Sequence, residues 1–314
     1  MRVLITGGGG FIGSNLVDHL ERSDPETDVV VLDDFSTGDR SNLAASRARI
    51  VDGSLVDGDA VADAASGADA IVHLGAVPSV PRSIADPRRS HDANITGTLN
   101  VLEAAPRHGI SHVIAASSSS VYGSNPALPK SEDMFTRPMS PYAVTKLATE
   151  AYLVAYGHSY GLRTLAFRFF NVYGPRQSAG HDYAAVIPRF IDAALAGVPL
   201  QVEGDGLQSR DFTYVDSVCD AIHRALQSRL ASSSPVNLAF GTRTTLMQLI
   251  AMIEEATGAP VTIEHRAARV GDVRESQADT ALLKSLLPDL APVPLERGVQ
   301  KTVEWFRAEA ARGR

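Results

Sequence analysis

The stretch VLITGGGGFIGSNLVDHL, residues 3–20, decides the fold. A short apolar run ends at Thr6, glycines follow, and from Ser14 apolar residues return at helical spacing, so the segment reads as strand, turn and helix. Gly7, Gly10 and Gly13 fall three apart across that junction. A tight turn needs positive φ, the backbone must approach a pyrophosphate with no Cβ in the way, and the last glycine lets helix pack on strand. About twenty residues further on, Asp33 ends a second apolar run, where a carboxylate accepts hydrogen bonds from an adenosine ribose and repels a 2′-phosphate. With no basic residue beside Asp33 and Asp34, the pattern predicts NAD rather than NADP.

Outward from this unit, short apolar runs alternate with longer amphipathic stretches. The expected strands are 3–6, 29–33, 49–51, 70–74, 112–117 and 164–169, with helices over 14–22, 92–107 and 141–160. Ser140 and Pro141 supply a cap and a first-turn proline for the last helix. The pattern predicts an α/β chain: a Rossmann-type, doubly wound parallel sheet. After Pro175 the texture changes to short Gly- and Pro-punctuated segments, read as a smaller α+β substrate-binding lobe. A helix from Tyr214 to Arg229 and a strand from Val236 to Ala239 suggest that the chain returns to the first unit. The expected division is 1–172 with 212–241 for the cofactor unit, and 173–211 with 242–314 for the substrate lobe.

Composition limits the function classes. The 314 residues are 44% hydrophobic and 21% charged, which is ordinary globular composition. Lys plus Arg is 29 against 36 for Asp plus Glu, and the net charge of −7 is the wrong sign for a general grip on nucleic acid. Cys219 alone permits neither an intrachain disulfide nor a cysteine-based metal cluster, and suits a reducing cytoplasm. No apolar run is long enough for a membrane span, and the first glycines arrive too early for a signal-peptide core. The nine histidines show no metal-ligand spacing, so no metal is expected, and His73 reads as a packed or backbone-bonded residue.

The chemistry points elsewhere. Tyr142 and Lys146 in SPYAVTKLATE are four apart on an expected helix and so share a face. A phenol near pKa 10 is a poor base at neutral pH, but an adjacent cation and a positively charged nicotinamide favour the phenolate. Upstream, the strand ending AASSSSVYG delivers four serines to the same region, and hydroxyl supply alone does not choose among them.

Together TGGGGFIG, Asp33, the serine-bearing strand before VYG and PYAVTK resemble the extended short-chain dehydrogenase/reductase superfamily. More narrowly, SVPRS, SSSSVYG, RFFNVYGPRQ, YAAVIPRF, GDGLQSRDFTYVDSV and RVGDVRES resemble its UDP-hexose 4-epimerase branch. The resemblance implies that Ser118 contacts the sugar 4-hydroxyl, that Tyr142 is the base and that Lys146 holds the nicotinamide ribose. Tyr142 would take the proton of the 4-hydroxyl while hydride leaves C4 for NAD, giving a bound 4-keto sugar, which turns about its link to the pyrophosphate and takes the hydride back on its other face. NAD then stays bound throughout.

The same resemblance implies further NAD contacts at Phe11, Ile12, Asp34, Ser36, Thr37, Gly38, Ser54, Leu55, Leu74, Gly75, Ala76, Asn94, Ala116 and Phe169. Ser54 stands where relatives often carry an Asp contacting adenine. For the UDP-sugar it implies Ser79, Ser118, Ser119, Ser120 and Asn171, uracil-holding segments around Ala185, Val186 and Gln201, phosphate-binding Arg210 and Arg269, and Asp272 on the uridine ribose. Arg189 and Arg274 read as ordinary surface ion-pair residues. A homodimer through helices 92–107 and 141–160 is also implied.

Two departures narrow the reaction. Related 4,6-dehydratases carry Asp and Glu where this chain has Ser119 and Ser120, and related UDP-glucuronate decarboxylases carry Glu at the second position, which favours simple epimerisation. Ser276 stands where relatives restricted to glucose and galactose can carry a bulky aromatic, so an N-acetyl group has room. The serine cluster suits a 5-carboxylate equally well. UDP-glucose/galactose, the N-acetylhexosamines and the uronates thus all remain open. The alternatives are a dehydratase or decarboxylase of the same superfamily, a hydroxysteroid-type dehydrogenase that releases reduced cofactor, or a binding protein without catalysis.

Overall fold

Runs that are apolar at consecutive positions rather than alternate ones make strands covered on both faces. In the computed structural model, which describes residues 1–180, 184–267 and 274–313, six such runs are β1 (Arg2–Thr6), β2 (Asp28–Asp33), β3 (Arg49–Asp52), β4 (Ala70–His73), β5 (His112–Ser118) and β6 (Arg163–Phe169). With the strand Val236–Leu238 they form one seven-stranded sheet in the order β3-β2-β1-β4-β5-β6 and then Val236–Leu238. Every neighbouring pair is parallel.

Helices cover both faces. On one side α1 (Phe11–Ser23) packs Leu16, Val17 and Leu20 against the sheet together with Val218, Ile222 and Leu226 of the later helix Val215–Gln227. On the other lie α2 (Gly58–Ala65), α5 (Gly97–Arg107) and α6 (Pro141–Tyr160), whose Val61, Leu102 and Leu153 are buried. Two short helices, α3 (Val80–Ala85) and α4 (Pro87–His91), lead into this layer. The strand order reverses beside β1, so the carboxyl ends of β1 and β4 flank the crevice where open α/β sheets take their ligands.

Two helices differ from expectation. The first starts at Phe11 rather than Ser14, because Gly10 has the extended backbone of an N-cap and Gly13 is accommodated inside the helix. The stretch expected as one helix over 92–107 opens with a π-helical turn, Asp92–Thr96, which places the buried Asn94 under the loop that follows β4. By contrast, α6 begins as read: Ser140 accepts from the Ala143 amide at 3.1 Å, and Pro141 occupies the first turn.

Beyond Tyr173 the chain builds helix Val186–Ala196 and a strand, Leu200–Glu203, which pairs in parallel with Ile263–Arg266. Helices Leu246–Thr257 and Leu295–Ala311 pack with them, and Phe190, Ile253 and Val303 join the same apolar core as the sheet. A parallel pair with a helix in the intervening chain is more regular than the punctuated sequence suggested.

Candidate active site

The glycine turn is shaped by contacts that no side chain tolerates. Gly7 has φ +71°, and a Cβ there would lie 2.6 Å from the Gly75 backbone; at Gly13 it would lie 2.2 Å from the Gly7 carbonyl oxygen. Helix α1 has no side-chain cap and no acidic residue in its first turn, so the first-turn amides, those of Phe11 and Ile12 among them, keep their capacity for an anion. Asp33 lies at the end of β2 and accepts the Gly9 and Phe35 amides, each at 2.8 Å. Burial raises its pKa and those two amides oppose the rise. One further acceptor position on each oxygen suits a ribose diol.

The loop after β2 closes over the turn. Gly38 abuts the Gly9 backbone, Ser36 donates its amide to Asp34, and Thr37 lies between them. Arg40 enters this region unforeseen, stacked 4.3 Å over the Phe35 ring, but its guanidinium is paired with Asp52. Leu55 packs against Gly75 and Gly97, and the Ser54 carbonyl accepts the Asp57 amide.

A buried polar chain ties β1 and β4 to the helices. Thr6 Oγ1 meets His73 Nδ1 at 2.7 Å, and His73 Nε2 meets Thr98 Oγ1 at 3.1 Å. Thr98 donates its one proton to the Asn94 carbonyl at 2.5 Å, so towards His73 it accepts; the imidazole therefore carries its proton on Nε2 and accepts from Thr6. His73 is thus bonded to side chains, not to backbone. Burial, with the nearby Lys146, draws its pKa down to about 3, so it is neutral.

Asn94 makes its hydrogen bonds within the protein. It bonds both the amide and the carbonyl of Val77 and reaches Thr145 Oγ1 at 3.0 Å. This places it as a brace for the Leu74, Gly75 and Ala76 loop rather than as a group aimed at a ligand. Ser79 follows that loop with φ 95°, a conformation uncommon for a non-glycine residue. Its hydroxyl caps α3.

The reactive groups meet where β5 ends. The Ser118 hydroxyl lies beside the Tyr142 phenol, and the Lys146 ammonium donates to the Ala116 carbonyl at 2.9 Å. Burial pushes the Tyr142 phenol up, with the Ser118 hydroxyl opposing, and draws Lys146 down to about 8, with Glu150 opposing. Ser83 of α3 accepts the Tyr142 amide at 3.0 Å, which fixes the start of α6. Ser119 and Ser120 lie in a 3₁₀ turn capped by Ser118, and Ser120 Oγ is buried without a protein partner.

Ser118 is also the register partner of Phe169 on β6. Two residues beyond Phe169, Asn171 lines a cavity of about 270 Å³ with Ala185, Val186, Gln201 and Arg210, so five of the expected substrate contacts share one pocket near the reactive end of the sheet. Asn171 itself has φ 35° and donates to the Asp211 carbonyl. Arg189 lines the same cavity and donates to the Gln201 carbonyl at 3.3 Å. Arg274 does pair at the surface, with Asp205. Ser276 hydrogen-bonds through its amide to the Ser209 carbonyl, next to Arg210, but is not among the residues lining the cavity. Arg269 and Asp272 lie outside the described residues.

Several contributors were not read from the sequence. Phe212, Gln208 and Leu246 complete the cavity, and Ser117, Glu150 and Arg168 form a buried cluster behind Lys146. No local spacing marks the cavity residues or Arg168, while Glu150 continues the four-residue spacing of Tyr142 and Lys146.

The glycine turn, the uncapped α1 and Asp33 fit a dinucleotide, and residues 3–239 match the model of the NAD dependent epimerase/dehydratase family. The chain belongs to that family. It is 40% identical over 313 residues to a UDP-glucose 4-epimerase of Mycolicibacterium smegmatis, covering 98% of this chain and 99% of that one. Among solved structures, it resembles the UDP-N-acetylglucosamine 4-epimerase of Methanobrevibacter ruminantium in complex with UDP-N-acetylmuramic acid, with TM-score 0.92, 36% identity and 98% of both chains covered. It also resembles the UDP-glucuronic acid 4-epimerase of Bacillus cereus in complex with UDP-glucuronic acid and NAD, with TM-score 0.89, 29% identity, and 98% of this chain and 100% of that one covered. Like others of this NAD-dependent family, the enzyme uses NAD. Among the described residues no helix is long and apolar enough to cross a membrane.

Proposed function

We propose that this chain is a UDP-sugar 4-epimerase. The observation that carries the reading is the Ser118, Tyr142 and Lys146 cluster at the end of β5, placed between a dinucleotide turn and a separate cavity that holds Asn171 and Arg210. The glycine turn, Asp33 and Lys146 would hold NAD, which when bound would accept hydride from the sugar's C4 and return it. Ser118 orients the 4-hydroxyl and Tyr142 takes its proton, returning it when the configuration has inverted. Lys146, with the positively charged nicotinamide, lowers the phenol's affinity for that proton. Arg210 meets the pyrophosphate, and the cavity around Ala185, Val186 and Gln201 holds the nucleotide as a fixed handle about which the sugar turns.

In this reading residues 1–172 and 212–241 hold the cofactor, and residues 173–211 and 242–314 the nucleotide-sugar. The exposed apolar residues Val144, Val154 and Tyr160 of α6 support a homodimer through α5 and α6, and the single buried cysteine suits the cytoplasm. Ser119 and Ser120, in place of a carboxylate pair, favour epimerisation over dehydration or decarboxylation.

The test is an NMR assay of UDP-glucose, UDP-N-acetylglucosamine and UDP-glucuronate with the purified protein and no added NAD. At least one of them interconverts with its 4-epimer, and NADH does not accumulate. Failure to invert any, or NADH rising with turnover, overturns the reading.

A further inference from the structure

Three consecutive residues at the end of β5 meet three residues of α6. Ala116 receives the Lys146 ammonium on its carbonyl, Ser117 donates its hydroxyl to Glu150 Oε1, and the Ser118 hydroxyl lies beside the Tyr142 phenol. Tyr142, Lys146 and Glu150 follow one another at four-residue intervals and so share the helix face turned towards that strand. From β6, Arg168 reaches both Glu150 oxygens, Nε to Oε1 and Nη2 to Oε2, at 2.8 Å each. The two side chains are only 4% and 5% exposed. Arg168 in turn stacks 4.7 Å from the centre of the Tyr122 ring, whose hydroxyl donates to Asn237 at 2.6 Å.

We propose that Glu150 is a positioning residue for the reaction: its carboxylate, fixed by Arg168 and Ser117, keeps the buried Lys146 ammonium charged and seated on the Ala116 carbonyl beside the Tyr142 phenol. The proposal rests on the epimerase reading above. A buried ion pair that only fastens β6 to α6 adds little over apolar packing. Here the carboxylate sits one helical turn from an ammonium that burial works to discharge. Lys146 faces Tyr142 and Glu150 on its own helix, neutral His73 from β4 and a carbonyl from β5, and Glu150 is the charge that counters its desolvation. Without that charge the ammonium loses its proton at lower pH, and the phenol loses the cation that favours its ionised form.

The chain has four lysines, at 130, 146, 284 and 301, so a ¹³Cε-lysine NMR titration of the protein as purified with its cofactor resolves Lys146, assigned by its loss in Lys146→Arg. In Glu150→Gln the Lys146 midpoint falls by about one pH unit or more, and in Glu150→Asp it stays near the wild-type value. The alkaline limb of the epimerase pH profile of Glu150→Gln moves down with it, with kcat reduced more than KM is changed. An unmoved midpoint in Glu150→Gln overturns the proposal. The titration needs no turnover, so a wild type that inverts no UDP-sugar overturns the epimerase reading without deciding this one. Should Glu150→Gln not fold, Glu150→Gln/Arg168→Met removes both charges together; the fall is then smaller, because a cation that opposes the ammonium is lost as well, and any fall supports the proposal while an unchanged midpoint overturns it.

Discussion

The Ser118 hydroxyl lies beside the Tyr142 phenol and works against the rise that burial imposes on its pKa, bringing the last residue of β5 to the first turn of α6. A sugar hydroxyl that meets both at once is aligned by one and deprotonated by the other. Removing the phenolic oxygen deletes the proton acceptor while leaving ring and cavity in place. Tyr142→Phe is therefore expected to lower turnover by about 10²- to 10⁴-fold. UDP binding, measured by calorimetry, stays within a few-fold of wild type. Near-normal turnover removes Tyr142 from the role of base.

Asp33 gives a second expectation. Its carboxylate is oriented by the Gly9 and Phe35 amides, and in the proposed reading its remaining acceptor positions take the ribose of a dinucleotide. Asp33→Asn replaces a charged acceptor by a neutral one and removes the repulsion of a 2′-phosphate. A hydrogen bond to a charged group contributes about 1.5–3 kcal/mol, so NAD should bind about tenfold or more weakly and the preference over NADP should narrow. Competitive reconstitution of cofactor-free protein with the two dinucleotides reads this directly, and an unchanged ratio contradicts the assignment.

What was legible in the sequence is what short range determines. Gly7, Gly10, Gly13 and Asp33 follow from one strand-turn-helix unit, and Tyr142 with Lys146 from a single helical turn. The pocket residues Ala185, Gln201 and Arg210 came only from resemblance, since nothing local distinguishes them. The Thr6 and His73 contact joins residues 67 apart, and the Glu150 and Arg168 pair crosses from α6 to β6. Both depend on the order β1-β4-β5-β6, which no spacing states. Likewise, only the fold brings Arg189 beside the Gln201 carbonyl.

His73 makes stability pH-dependent. The folded imidazole stays neutral down to about pH 3, whereas in the unfolded chain it takes up a proton near its ordinary value of 6.5. The contribution is therefore fully present above pH 6.5 and is lost as pH falls towards 3, at a rate approaching about 1.4 kcal/mol per pH unit. His73→Gln is less stable at pH 7, because two buried hydrogen bonds are disturbed, yet its stability should decline less steeply between pH 6.5 and 4.5. Urea denaturation of both proteins across that range checks the slopes. Parallel curves mean that His73 is not neutral when folded.

Ser276 bears on the choice of sugar. Its amide is tied to the Ser209 carbonyl, which fixes its backbone next to Arg210, and a serine there takes up less space than an aromatic residue would. We expect the room so left to take the substituent that distinguishes one UDP-sugar from another. In Ser276→Tyr a phenol ring fills it, so a substrate with an N-acetyl group meets steric overlap that a plain hexose avoids. Losing room for a few heavy atoms in a packed site costs about 1–3 kcal/mol, or roughly 10- to 200-fold in kcat/KM. Ser276→Tyr should therefore lower kcat/KM for UDP-N-acetylglucosamine by that factor and for UDP-glucose by much less. An equal fall for both substrates places the substituent elsewhere, and Ser276 then has no part in choosing the sugar.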